Sequence, residues 1–159
     1  MKKFIYNLFL FLATSLFVCS CNQKDDIEEI FDSGVWNVEN YYSAVDWDTN
    51  GLNWGKPVYT SKTDRELIGK ITIVFDSDGT FQGNLTSKGT YSGKWEAHPE
   101  DRSFAIIGPI KASIRLSGKD AEYIKTLENA RFYRGDSKTT LRLAPQSRTN
   151  CIQFIHIRK

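Results

Sequence analysis

The hydrophobic pattern divides the 159-residue chain into one apolar run and a long series of short alternating segments. From Phe4 to Val18 the positions are mostly Phe, Leu, Ile, Ala and Val, fifteen in all. From Gly34 onward the period becomes two. Trp36 and Val38 share one face of an extended segment. Ile71, Ile73 and Phe75 alternate, Asp76-Ser77-Asp78-Gly79 supplies turn chemistry, and Thr80-Phe81 resumes an extended segment, which predicts a hairpin. Tyr91 and Trp95, four apart, share a strand face. "SFAIIG", "KASIRLSG", "TTLRLAP" and "CIQFIHIR" read as further short strands. One segment follows a different period: Tyr123, Ile124, Leu127 and Ala130 recur at three and four, predicting a helix over Gly118–Ala130 capped by Ser117. The fold class is therefore mainly β with one short helix, an antiparallel curved sheet or small β-barrel, in a single domain over residues 31–159.

The apolar run is too short for a membrane span, which needs about 20 residues. It follows the positive Met1-Lys2-Lys3 and has the length of a signal-peptide core. Val18, Cys19, Ser20 and Cys21 then resemble the bacterial lipobox, an aliphatic residue, two small residues and Cys. Cys19 departs from the small residue usual at its position. The resemblance implies cleavage after residue 20, a signal peptide over 1–20, and lipidation of Cys21. Residues 21–30 would be the lipidated Cys and a flexible acidic tether, since a run so polar buries too little apolar surface to offset its ordering entropy. Lys24-Asp25-Asp26 resembles the export signal of Bacteroidetes surface lipoproteins. The expected location is thus outside the cytoplasm, on the outer membrane through the lipid at Cys21, facing the cell surface if that signal operates and the periplasm if it does not.

Removing Lys2 and Lys3 takes 21 basic residues to 19, against 19 acidic, so the mature chain is neutral. The charge is uneven: residues 30–110 hold 7 basic and 11 acidic, and residues 111–159 hold 11 and 4. A basic stripe could meet phosphate or sulfate; solvent-facing Arg131, Arg134, Arg142 and Arg158 on strands explain the same excess. No dense basic run exists, and nucleic acid is not an expected partner. Cys151 is the one cysteine left after cleavage and acylation, and it reads as a buried apolar filler. On one regular strand, Cys151 and His156 face opposite ways and cannot form a dyad.

Nothing in the sequence assembles a catalytic set. There is no G-x-S-x-G, H-E-x-x-H, phosphate-binding Gly loop or zinc-capable cluster, so no enzyme activity and no cofactor are expected. The segment Tyr41–Pro57 is the candidate binding site. It is long for an internal connection and carries Tyr41, Tyr42, Trp47 and Trp54 among Asp and Asn, with Asn53 placed to bond a ligand. Rings beside amides and carboxylates suit a glycan or a protein surface. Asp46, Asp48 and Asn50, followed by Gly51, also match the start of a calcium loop. The twelfth position, where a bidentate Glu belongs, is Pro57, so the calcium-loop motif is incomplete.

Two families resemble the folded part. Leu127, Ala130, Tyr133, Leu141 and Leu143 in "SGKDAEYIKTLENARFYRGDSKTTLRL" stand where META-like lipoprotein domains carry a helix, an Ala, an aromatic and a Leu-x-Leu strand. The Met-Glu-Thr-Ala signature of that family is absent, which suggests a divergent, uncharacterised Bacteroidetes branch. Gly34-Val35-Trp36, "FDSDGTF" and "GTYSGKW" resemble lipocalin-like barrels, which implies a cavity for a small apolar ligand. Three readings follow: a lipid-anchored binding module, a lipocalin-like carrier, and a structural envelope lipoprotein. A hollow interior separates the second from the others.

Overall fold

The computed structural model describes residues 27–49, 55–135 and 139–157. The element order is α1 (Ile27–Phe31), β1 (Val35–Ser43), β2 (Lys56–Pro57), α2 (Lys62–Ile68), β3 (Thr72–Phe75), β4 (Thr80–Asn84), β5 (Thr90–His98), β6 (Ser103–Ala112), α3 (Gly118–Glu128), β7 (Phe132–Gly135), β8 (Thr140–Ala144) and β9 (Asn150–His156). All strands pair antiparallel in the order β2-β1-β3-β4-β5-β6-β7-β8-β9, and β1 pairs with β9 as well. That last pairing, Trp36–Ser43 against Asn150–His156, closes the sheet into a barrel. The mainly β, single-domain reading holds. Its single helix is joined among the described residues by α1 and α2.

Three expectations change. Residues 27–31 are helical with Ile30 and Phe31 buried, so the folded part begins ahead of residue 31. "SFAIIG" and the start of "KASIRLSG" are one strand, β6, running through Gly108-Pro109. Ser117 occupies the N-cap of α3 with extended backbone but makes no side-chain cap bond. The 71–84 hairpin forms as read: Phe75 opposes Phe81, and the Asp78 carboxylate accepts bonds from Thr80 N (2.9 Å) and Oγ1 (2.6 Å) across the turn.

The interior is solid with rings. Phe31, contributed by α1, fills one end of the barrel, its centroid 4.6 Å from Trp95, 5.0 Å from Phe75, 5.2 Å from Tyr133 and 5.8 Å from Phe104. Trp36 and Phe154 continue the core, both fully buried. At the other end α3 lays Tyr123, Ile124 and Leu127 over the opening. Tyr91 Oη donates to Thr72 O (2.8 Å) and lies 2.5 Å from Tyr123 Oη, whose hydroxyl donates to it. Burial pushes both phenols well above the ordinary tyrosine range. Gly83 makes room for this: a Cβ there would stand 2.6 Å from the Tyr91 hydroxyl and collide with Thr72 O. Gly34 answers a backbone need instead, with φ +126°, a conformation closed to most side chains. It lets the chain turn from α1 into β1 so that His156 can hydrogen-bond Ser33 O (2.7 Å) and stand edge-on to Trp36.

α3 is tied to the barrel through its first turn. The buried Asp120 carboxylate accepts bonds from Thr86 N and Thr86 Oγ1, both 2.8 Å, fixing the β4–β5 turn to the helix. Burial alone would raise that carboxyl; the bonds from Ser87 and Thr86 outweigh it and hold the carboxyl below its ordinary range. No helix among the described residues is long and apolar enough to cross a membrane.

Candidate functional site

At the end closed by α3, a groove of about 440 Å³ runs between the helix and the ends of β1 and β9. Glu122, Lys125, Thr126 and Asn129 line it from the helix. Tyr41, Tyr42 and Val58 face them, and Pro145, Asn150 and Cys151 complete it from the β8–β9 connection. The volume lies inside the 300–1,000 Å³ range of small-ligand sites.

The wall opposite the helix is built by one residue the hydrophobic pattern does not mark. β1 carries a bulge between Val38, opposite Phe154, and Asn40, opposite Gln153. The bulge turns Asn40 into the protein, where it is 5% exposed. Its Nδ2 donates to Tyr59 O (2.9 Å), and its Oδ1 accepts from Tyr59 N (3.1 Å) and Tyr41 N (2.8 Å). The amide thus takes the place of a missing strand residue and pairs both ways with Tyr59. Beside it, Val58 N donates to Tyr41 O (2.8 Å). Tyr41 and Tyr59 meet edge to face at 5.5 Å.

Tyr59 then reaches across to the helix. Its hydroxyl donates to Glu122, with both carboxylate oxygens at 2.6 Å, and Lys119 Nζ sits 3.6 Å over its ring and 3.6 Å from Glu122. Burial raises the Tyr59 phenol, and the Glu122 bond raises it further. Burial also raises the Tyr41 phenol. Burial, opposed only weakly by Arg142, pushes the Cys151 thiol up to about 12. At neutral pH the groove therefore presents phenols, a thiol and amides as neutral hydrogen-bonding groups around apolar walls. A protonated thiol is a poor nucleophile, and Glu122 is committed to Tyr59 and Lys119.

The sequence-predicted residues divide. Tyr41 and Tyr42 line the groove, Tyr41 as a core residue at 8% exposure rather than as an exposed ring. The expected free loop from Tyr41 to Pro57 is shorter: Tyr41–Ser43 belong to β1, and Lys56-Pro57 add as β2, Tyr42 opposite Pro57 and Ser43 opposite Lys56. Trp47 is half-buried and lies elsewhere, on the outer wall, where Arg134 Nη1 donates to its carbonyl oxygen. Asn50, Asn53 and Trp54 lie outside the described residues. Asp46 and Asp48 are exposed, and among the described residues no group of three or more His, Cys, Asp and Glu side chains is placed to hold a metal ion. Cys151 is buried, as read. Asn40, Tyr59, Glu122, Lys125 and Asn129 were not legible as site residues. The capping signal Ser61-x-x-Asp64 was available to find α2: Ser61 Oγ accepts from Asp64 N (3.1 Å).

Comparison with known proteins places this architecture. A crystal structure of a DUF4847 family protein from Bacteroides vulgatus ATCC 8482 is similar, with a TM-score of 0.71 and 32% sequence identity, covering 84% of this chain and 99% of that one. A search of curated proteins finds no match. The family model described as "Domain of unknown function (DUF4847)" matches residues 22–156, which takes in α1, every strand and the groove. The chain belongs to the DUF4847 family.

Proposed function

We propose that this protein is a lipid-anchored envelope protein, held to the outer membrane through Cys21, that acts as a non-enzymatic binding module. Its contact site is the groove between α3 and the ends of β1 and β9. One observation carries the reading: the barrel interior is filled, while an open groove of ligand size remains at the end away from α1. α1 is the element that follows the tether. Six Cα–Cα steps separate Cys21 from Ile27, a reach of at most about 21 Å. A lipid at Cys21 would therefore keep the α1 end of the barrel near the bilayer and turn the groove outward. Tyr41, Tyr42 and Val58 supply ring and aliphatic surface, and Asn129, Asn150 and Lys125 supply donors at the rim, a mixture suited to a glycan or to a short protein segment. The META-like and lipocalin-like resemblances fit as distant relationships of a meandering barrel. The carrier reading lacks a compartment among the described residues, since the inward-facing side chains fill the space a ligand would need.

The test uses the full-length protein in detergent, screened against glycans and envelope proteins. Tyr42→Ala combined with Asn129→Ala should abolish binding with little change in Tm. Binding that survives both changes would remove the groove from the proposal. In parallel, Cys21→Ala should leave the protein unacylated and in the aqueous phase on detergent partition; normal acylation of that variant would refute the anchor.

A further inference from the structure

Beyond the groove's β8–β9 rim, where Arg148 N donates to Pro145 O (3.0 Å), a second cleft of about 290 Å³ opens on the outer wall. Three guanidiniums line it from three separate elements: Arg102 from the β5–β6 turn, Arg134 from β7 and Arg148 from the β8–β9 turn. Phe132 and Trp47 line it as well, with Asp48 and Asp101. By formal count the cleft holds three positive and two negative side chains, a net of +1.

The way two of the guanidiniums are held matters more than the count. Arg148 lies over the face of Phe132, its Cζ 3.7 Å from the ring centroid. Arg134 donates to the carbonyl of Trp47 and points toward that of Thr49 (3.5 Å). These partners orient the guanidiniums without neutralising them: a ring face and a carbonyl carry no formal charge. Asp101 is turned to its own backbone, accepting from Ser103 N (2.9 Å). The side-chain N–H groups of Arg148 make no hydrogen bond among the described residues. A planar fork pre-positioned on a ring, with unused donors, is the arrangement that binds carboxylate, phosphate or sulfate in two-point fashion. Half-buried Trp47 adds a flat apolar surface beside it. The volume, at the low end of ligand sites, fits one ring-sized unit.

We propose that this cleft is an oxyanion subsite: Arg148 and Arg134 grip the anionic substituent of a small ring-bearing ligand, such as an acidic sugar unit, while Trp47 covers the ring. This site is separate from the groove and stands whether or not the groove binds anything. It gives the basic excess of residues 111–159 a specific use on one wall.

The test titrates the full-length protein in detergent with glucuronate, inorganic phosphate, sulfate and neutral glucose, following tryptophan fluorescence and heat. Saturable binding of the anions and not of glucose is expected. Arg148→Gln should weaken it by about tenfold or more, as for the loss of one charge-assisted bond, with little change in Tm, since that half-buried side chain packs on one ring and makes no hydrogen bond among the described residues. Trp47→Phe should lower the affinity for glucuronate while leaving phosphate unaffected. Equal loss for both probes would confine the site to the anion and overturn the ring contact. No saturable binding of any anion at millimolar concentration, equal binding of glucose, or full binding by Arg148→Gln would overturn the subsite.

Discussion

Asn40→Ala is the sharpest perturbation the fold offers, because one buried side chain there stands in for a strand. The change removes three hydrogen bonds at once, to Tyr59 O, Tyr59 N and Tyr41 N. A typical hydrogen bond contributes about 1 kcal/mol net, and a buried group left unpaired costs about 1–3 kcal/mol. Water entering from the groove can satisfy part of what is exposed, so the expected loss is about 3–4 kcal/mol. A domain of this size has about 5–15 kcal/mol in all, and the loss should appear as a fall in Tm of about 10–15 °C. Equilibrium denaturation with urea measures it directly. Asn40→Asp tests the geometry rather than the volume. The introduced carboxylate keeps the two acceptor bonds but turns an oxygen toward Tyr59 O. Its folded pKa should rise above the unfolded value of about 3.9. A raised folded pKa gives stability that is present at low pH and lost as pH rises, so this variant should approach the wild type at pH 4 and fall away from it at pH 7. A loss below about 1 kcal/mol for Asn40→Ala, or a pH-independent Asn40→Asp, would refute the account of Asn40 as a two-way partner of Tyr59.

Asp120 has the opposite sign. Its folded carboxyl is held below the ordinary range, so its contribution is present above the unfolded pKa of about 3.9 and is lost as pH falls through the lower folded value; acid titration of stability should be steeper below pH 4 in the wild type than in Asp120→Asn. Gly83→Ala should cost about 1–3 kcal/mol or more by forcing the Tyr91 hydroxyl from Thr72 O, measured by denaturant midpoint, and a neutral result would mean the β3–β4 pair shifts freely. Phe31→Ala should cost about 3–5 kcal/mol for a buried ring, and a small effect on thermal melting would show that α1 is not part of the cooperative unit.

Where one segment supplied both the signal and its partner, the sequence was readable. The 71–84 hairpin announces itself through alternation and the Asp76–Gly79 turn. α3 announces itself through Tyr123, Ile124, Leu127 and Ala130, all of them buried. α2 offers only one buried residue, Ile68, so no apolar stripe marks it and only its cap does. The groove was out of reach for a different reason. Tyr41, Glu122 and Cys151 come from three elements far apart in the chain, and what brings them together is a bulge at Asn40 that no local pattern demands. The aromatic segment holds Tyr41 and Tyr42, both of which line the groove, but composition alone could not tell a ring that completes a core from one that awaits a partner.

The pairing that closes the barrel joins residues 36–43 to residues 150–156, more than a hundred positions apart. Between β6 and β7 the seam is narrower, a single register pair, Ser103 with Phe132, flanked by Phe104 N to Arg131 O and Tyr133 N to Arg102 O. Folding must therefore gain its longest-range ladder last, after nearly all loop-closure entropy has been spent, and high contact order of this kind slows folding. Until the C-terminal strand arrives, β1 and β8 each present an unpaired edge, the template on which chains aggregate. The final seven-residue strand is thus the timing element of the molecule: a chain released before Asn150–His156 is made holds most of its core residues and still has two open sides.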